Sequence, residues 1–401
     1  MAPYEIKKLN DLLDSEVVSA SITNLTSAGD NYASAIFSVD ATLEDDQSIR
    51  AVAKMIPQND FIRRLFRSEK TFRNEVGYYR TIAPCLRKFQ EERGLSGLLS
   101  SYPDFYNARF SLQPSSDQVD NDAVLLIKNI KTDGFTIMDR KVGFDFDQSK
   151  LILDKMAELH ATVSALKTVK PDVFDKELGE FFDEFDMYES KPESVEQLIN
   201  SLVDILVDDE FCVQNMAKIR ETLHSNSRFA ASKNRKEFQN TPYVSLVHTD
   251  MWTNNIMVKV VDGKTVDVKF VDYQIYEYSS LTRDVVFFLF SSVQLPVLEK
   301  QLDDLLLHYF ESFVKWLEKL NSDTSVFTFE GFLREMGSVV KQVEFIHILL
   351  MMKPMFALDK DTKEVDNLQR DDFLNGMKEL AEGCKPKVSF VVRELMRRGW
   401  I

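Results

Sequence analysis

Apolar and polar positions alternate along the early part of the chain. In Tyr32–Ala41, Ala33, Ala35, Phe37, Val39 and Ala41 fall between Ser34, Ser38 and Asp40. That period of two predicts a half-buried strand. A polar turn, Glu44–Gln47, leads to a second apolar run, Ile49–Ile56, so the pair reads as a hairpin that Pro57 ends. Ahead of it, residues 4–20 read as a helix with Leu9, Leu12, Leu13 and Val17 on one face. Behind it, the spacing of Phe72, Val76 and Tyr79 predicts a helix over Phe61–Ile82, with Pro84 beyond its end. Two further strands, Phe105–Leu112 and Ala123–Ile127, flank a polar loop.

From Asp147 onward the period changes. Long amphipathic patterns dominate, as in Leu151–Leu166 and Glu193–Leu206. One β island interrupts them, Val244–Asp272. It holds an apolar strand, Ser245–Val247, and a hairpin, Ile256–Val261 with Val266–Val271, joined through Asp262-Gly263-Lys264. Asp-Gly is a strong hairpin turn signal. The plan is α+β with two lobes: a small β-rich one over residues 1–127 and a large, mainly helical one over 128–401.

Charge narrows the partners. The 401 residues carry 49 Lys and Arg against 64 Asp and Glu, a net charge of −15. Such an excess disfavours nucleic acid, whose phosphates need a surplus of cations, and disfavours an anionic membrane surface. Three distant cysteines, Cys85, Cys212 and Cys384, make neither a disulfide framework nor a zinc pair. No signal-like apolar segment opens the chain and no run is long enough to span a membrane, so a cytoplasmic setting is the expectation.

The chemistry concentrates in the β island. An apolar strand runs into His248-Thr249-Asp250; Asn255 follows Asp250 by 5 positions and Asp272 by 22, at the hairpin's end. Phosphoryl transfer from Mg-ATP needs such a set: one carboxylate for the acceptor hydroxyl, an amide and a second carboxylate for magnesium. Magnesium takes oxygen ligands and keeps waters, so one Asp and one Asn suffice. The spacing H-x-D-x-x-x-x-N is that of a kinase catalytic loop. An Asp–Asn pair alone caps a loop, and a lone strand lysine snorkels. Their order along the chain is what argues for more. Lys54 lies in the strand AVAKMI, Glu75 follows 21 residues later in a helix, and Ser27–Ser34 makes a turn before both. That turn has one glycine only. Asn31 and Ser34 within it are candidate nucleotide contacts. No A-P-E-like activation segment follows Asp272, which argues against a protein kinase.

These motifs resemble the ecdysteroid kinase-like family, a branch of the choline kinase and aminoglycoside phosphotransferase group. The residues that carry the resemblance are GDNYAS (29–34), VAKMI (52–56), FRNEVGYY (72–79), AELHA (157–161), HTDMWTNNIM (248–257) and FVDYQ (270–274). It implies a two-lobed protein-kinase-like fold and ATP-dependent phosphorylation of a small-molecule hydroxyl. Residues 1–127 would hold the nucleotide and 128–401 the substrate. Carried across, Asp250 is the catalytic base, braced by His248; Asn255 and Asp272 hold Mg2+; Lys54 contacts the ATP phosphates and pairs with Glu75. Asp284 matches a helix-start Asp that supports the loop, or is a plain helix cap. His160 in AELHA reads as a packing residue.

The chain departs from that family in three places, the mildest being Tyr273 where phenylalanine is commoner. Thr249 stands where glycine is usual, and a β-branched residue resists positive φ. Lys128 reverses a usually acidic charge at the strand joining the lobes. The acceptor is barely legible. The stretch 343–358, rich in Met and Phe, reads as a core helix or as the wall of a malleable apolar pocket. A hydrophobic alcohol such as an ecdysteroid or a hydroxylated xenobiotic is the expected substrate, which the resemblance implies more than the residues do. A choline-like alcohol and a non-catalytic, ligand-binding kinase fold are the alternatives.

Overall fold

The computed structural model describes residues 5–25, 34–95, 99–113, 116–182, 192–230, 238–358, 367 and 380–401. The helix expected over 4–20 is short. α1 spans Leu9–Leu13, and Asp14 closes it in the left-handed region at φ 51°. Val17–Asn24 is instead a strand, β1. Its β-branched residues lose rotamer freedom in a helix and pack well on a pleated face. β1 pairs antiparallel with β2 (Ala35–Leu43), and β2 with β3 (Ser48–Met55), the predicted hairpin. The helices α2 (Asp60–Leu65), α3 (Ser68–Gly77) and α4 (Ala83–Glu92) come next, then β4 (Phe105–Arg109) and β5 (Val124–Lys128). The five strands run in the order β1-β2-β3-β5-β4.

Alternation along β3 decides where the lysine goes. Ala51, Ala53 and Met55 face a small core with Val39, Val124, Leu126 and the α1 leucines. Lys54, one position out of phase, shares its face with Val52, which packs on the main core under α3.

The helix predicted over Phe61–Ile82 is broken and longer. Asn59 caps α2 by accepting from the Phe61 and Ile62 amides. A π-helical turn, Tyr78–Ile82, joins α3 to α4, and Pro84 sits at the start of α4 rather than beyond the helix. Proline lacks an N–H and its ring crowds the carbonyl four residues back. A widened π turn just before it spares the helix that clash.

Beyond β5, β6 (Phe135–Ile137) begins the larger lobe. α5 (Phe146–Val169) opens with a reciprocal Asp145–Gln148 capping box. α6 (Pro171–Glu177), α7 (Pro192–Val203), α8 (Glu210–Gln214) and α9 (Met216–Ala230) follow. β7 (Val244–Val247) leads to the hairpin of β8 (Ile256–Val261) and β9 (Lys264–Phe270), whose turn residues Asp262 and Gly263 both have positive φ. Sequence patterning missed β6, which pairs with β8, and β10 (Glu277–Ser280), which pairs with β7. Helices α10 (Thr282–Ser292), α11 (Leu295–Lys319), α12 (Phe329–Val339) and α13 (Phe345–Phe356), with a C-terminal helix, Cys384–Arg397, complete the lobe. α10 is buried at every position. The whole is the two-lobed α+β, protein-kinase-like architecture expected. Among the described residues no helix is long and apolar enough to cross a membrane.

Candidate active site

β7 is apolar and buried, so the residues after it emerge at the edge of the core. There the backbone is gripped from below. Asp284, fully buried in the first turn of α10, accepts from the His248 N–H at 2.6 Å and the Thr249 N–H at 2.8 Å. His160, on α5, joins the same carboxylate through Nε2 at 3.2 Å and meets the Tyr309 hydroxyl through Nδ1 at 2.7 Å. His160 is thus buried, as packing residues are, and also a hydrogen-bonded prop of Asp284.

His248 has both ring nitrogens engaged. Nε2 donates to the Val271 carbonyl at 2.9 Å, and Nδ1 accepts from the Asp250 amide at 3.3 Å. The ring therefore ties the loop bearing Asp250 to the strand end bearing Asp272. Thr249 lies between them at φ 65°, the left-handed conformation that favours glycine. Its hydroxyl donates to the Ile275 carbonyl at 2.8 Å, which holds the residue there.

Asn255 follows on a short helical turn. Its amide nitrogen donates to the Asp250 carbonyl at 2.9 Å and to Asp250 Oδ2 at 2.8 Å. The Asn255 Oδ1 takes no part in these two bonds. Burial raises the pKa of Asp250, and nearby Asp272 adds to the rise; His248 and Asn255 oppose it. Asp272 itself has φ 71°.

Lys54 and Glu75, 21 residues apart, meet: Lys54 Nζ lies 2.8 Å from Glu75 Oε1 and 2.6 Å from Asp272 Oδ1. Burial alone would lower the lysine's pKa, but Asp272 and Glu75 together raise it. Burial pushes the Glu75 carboxyl up, against the pull of Lys54. Gln274 adds a second tie between the lobes. It donates to Ser34 Oγ at 2.7 Å and to Glu75 Oε2 at 3.3 Å, while its carbonyl accepts from Asn74 at 3.1 Å. Ser34 is thus placed beside the Lys54–Glu75 pair; Asn31 lies outside the described residues. Six of the expected residues, Lys54, Glu75, His248, Asp250, Asn255 and Asp272, are linked in one constellation by the contacts above.

Sequence reasoning quoted Gln274 without giving it work, and it missed Arg283, Glu344 and His347 altogether. Arg283 donates to Glu344 at 2.6 Å and to Glu277 at 2.5 Å. Lys128 pairs with Asp133 at 2.8 Å on a partly exposed surface. In the Met- and Phe-rich stretch, Phe345, Ile348, Leu349, Met352, Met355 and Phe356 are buried in the core, so for these side chains the core-helix reading stands. No cluster of three or more His, Cys, Asp or Glu suited to a metal occurs among the described residues. Magnesium does not require one: Asn255 Oδ1 and the Asp272 carboxylate are hard oxygens of the right kind.

The family model for the ecdysteroid kinase-like family matches residues 28–322. Among solved structures, the chain is similar to a Plasmodium vivax ethanolamine kinase at 13% identity and TM-score 0.43, over 95% of this chain and 83% of that one. It is similar to a macrolide 2′-phosphotransferase from Brachybacterium faecium at 10% identity and TM-score 0.37, over 95% and 100% of the two chains. An ADP-bound aminoglycoside phosphotransferase aligns at 16% identity and TM-score 0.32, over 94% and 96%. No curated protein matches the chain.

Proposed function

The chain belongs to the ecdysteroid kinase-like family, and on that premise we propose that it transfers the γ-phosphate of Mg-ATP to a hydroxyl of a hydrophobic alcohol such as an ecdysteroid. The observation that carries the reading is the meeting of Lys54, Glu75 and Asp272 within 2.8 Å, from elements 218 residues apart in sequence, beside Asp250. In this reading residues 1–127 form the nucleotide lobe and 128–401 the acceptor lobe. Lys54, oriented by Glu75, turns to the phosphates, and Ser34 borders them. Asp250 takes the acceptor's proton as the oxygen attacks phosphorus; its raised pKa brings the carboxylate nearer to that task. Asn255 fixes the Asp250 carboxylate and, with Asp272, would hold magnesium. When bound, the ion supplies charge neutralisation on the phosphates.

The preference for a neutral acceptor over a choline-like one rests on the family match and not on local charge: Glu277 and Glu344 share the one Arg283, so an excess negative charge stays with the trio. Thr249 does not favour the non-catalytic alternative, because the loop reaches the left-handed conformation with threonine in place. The test is transfer of labelled γ-phosphate to ecdysone, to hydroxylated xenobiotics and to choline. A labelled alcohol product is expected. Asp250→Asn is expected to lower the rate by roughly 10²- to 10⁴-fold. Undiminished transfer by that variant would remove Asp250 from the role of base.

A further inference from the structure

Gln274 stands two residues after Asp272 and acts on two elements at once. Its side-chain nitrogen donates to Ser34 Oγ at 2.7 Å and to Glu75 Oε2 at 3.3 Å. A carboxylate paired with a lysine only accepts, so the amide presents its nitrogen, not its oxygen, to Glu75. Ser34 lies just ahead of β2, and Glu75 lies on α3. Gln274, Ser34 and Glu75 are all buried. One amide therefore pins both the start of a strand and the carboxylate that holds Lys54.

The amide is itself held rigidly. The Gln274 N–H donates back to the Asp272 carbonyl at 2.8 Å, which closes a tight turn on Tyr273. The Tyr273 ring is fully buried. It stacks on Tyr78 at 3.5 Å between centroids with planes 7° apart, and lies 4.7 Å from the His248 ring. The Gln274 carbonyl accepts from Asn74 Nδ2, and the Tyr276 hydroxyl donates to the Asn74 carbonyl, both at 3.1 Å. Farther along α3, Gly77 allows close approach to Phe181; a Cβ there would run into that ring. α3 is thus tied to the segment 273–276 and moves with the larger lobe. Ser34 and Lys54 move with the sheet. The bonds from Gln274 to Ser34 and from Lys54 to Glu75 and Asp272 join these two units.

We propose that Gln274 is a positioning residue of the nucleotide site. Through Ser34 it sets the sheet at a fixed height above the Glu75 carboxylate, so that Lys54 is already aimed when the phosphates arrive. The inference rests on the phosphotransferase reading and deepens it. Gln274 touches neither nucleotide nor acceptor in this scheme; it acts through Ser34 and Glu75. Replacing the amide with an apolar group leaves both of those groups buried with one donor fewer between them, and leaves the strand start and α3 without their common anchor.

The experiment measures calorimetric affinity for the magnesium complex of a non-hydrolysable ATP analogue. Wild type, Gln274→Met, Ser34→Ala and the double variant are compared, beside melting curves and transfer kinetics with ecdysone. Methionine keeps the length of the side chain and loses the donor. Gln274→Met should weaken nucleotide binding about tenfold and Ser34→Ala about threefold. In the double variant the alanine should cost almost nothing more, because its partner is already gone. KM for ecdysone should not move. Additive losses overturn the inference, since Ser34 would then act independently of Gln274. So does an unchanged affinity in Ser34→Ala, a result that decides the matter even if the methionine variant does not fold. A loss shared equally by nucleotide and ecdysone, with a lowered melting temperature, marks a merely structural residue and also overturns it. If wild type binds the nucleotide but phosphorylates no acceptor, the phosphotransferase reading falls alone and the same affinities decide the role of Gln274. If wild type binds no nucleotide, both fall.

Discussion

A β-branched residue at φ 65° costs about 1–2 kcal/mol relative to an ordinary conformation. At Thr249 that cost is offset by the hydroxyl bond to Ile275 and by the amide bond to Asp284. The two contributions can be separated. Thr249→Gly removes the strain and the hydroxyl together, and adds about 0.5–1 kcal/mol of unfolded-chain freedom, so stability should move by less than about 1 kcal/mol. Thr249→Val keeps the strain and loses only the hydroxyl; urea unfolding should show a loss of roughly 1–2 kcal/mol. Equal stability of the valine variant would mean the hydroxyl does not hold the loop. At Asp250 the expectation concerns pH. Because burial raises its pKa, the acid limb of the kcat/KM profile should lie above the usual aspartate range, with activity lost as pH falls through it. A limb at or below an ordinary aspartate's value would deny Asp250 that environment.

At the scale of elements, what was legible depended on whether the pattern was local. The β2–β3 and β8–β9 hairpins followed from apolar runs and turn residues, and the loop carrying His248, Asp250 and Asn255 followed from its H-x-D-x-x-x-x-N spacing after an apolar strand. β1 was hidden because Leu9, Leu12, Leu13 and Val17 also fit a helical face, and only pairing with β2 decides between them. The π turn at Tyr78–Ile82 has a local cause in Pro84, whereas the one at Val340–Glu344 has no sequence signature distinct from an α-helix and is supported from elsewhere in the chain. That support is Asn226, which donates to the Lys341 carbonyl and accepts from the Ile346 amide, 120 residues away. Asn226→Leu should leave two backbone groups without partners and cost about 2–4 kcal/mol in a denaturant melt. Unchanged stability would mean the helix closes into a regular α turn unaided. The Arg283–Glu344–His347 network, in which His347 Nδ1 donates to Glu344 Oε2 at 3.0 Å, was unreadable for the same reason: its members are ordinary helix residues until the fold brings α10 against α13.

At the scale of the molecule, a costly group among the described residues is Lys387, in the C-terminal helix. It is 4% exposed, donates to the Ser291 carbonyl at the end of α10, and is pushed down to about 7 by burial. Between that value and the ordinary 10.5, the unfolded chain binds more protons than the folded one. Stability should therefore climb as pH rises from about 7 to about 10, by at most about 1.4 kcal/mol per unit from this residue. Lys387→Met should flatten that climb and raise stability at neutral pH by a few kcal/mol, on the order of the cost of an unpaired buried cation. An unaltered pH slope would place the lysine in a wetter environment. The lysine at the candidate site has the opposite character. Lys54 rests between two carboxylates, Glu75 at 1% and Asp272 at 22% side-chain exposure. Only the second is partly exposed, so if Lys54 takes the phosphates as proposed, Asp272 is their competitor in the resting protein. On the proposed reading, nucleotide entry is an exchange of one anion for another, not the neutralisation of a bare charge. Asp272→Asn should then tighten magnesium-free ATP binding while abolishing transfer: a protein that holds its nucleotide better because it has lost the group that makes the nucleotide useful.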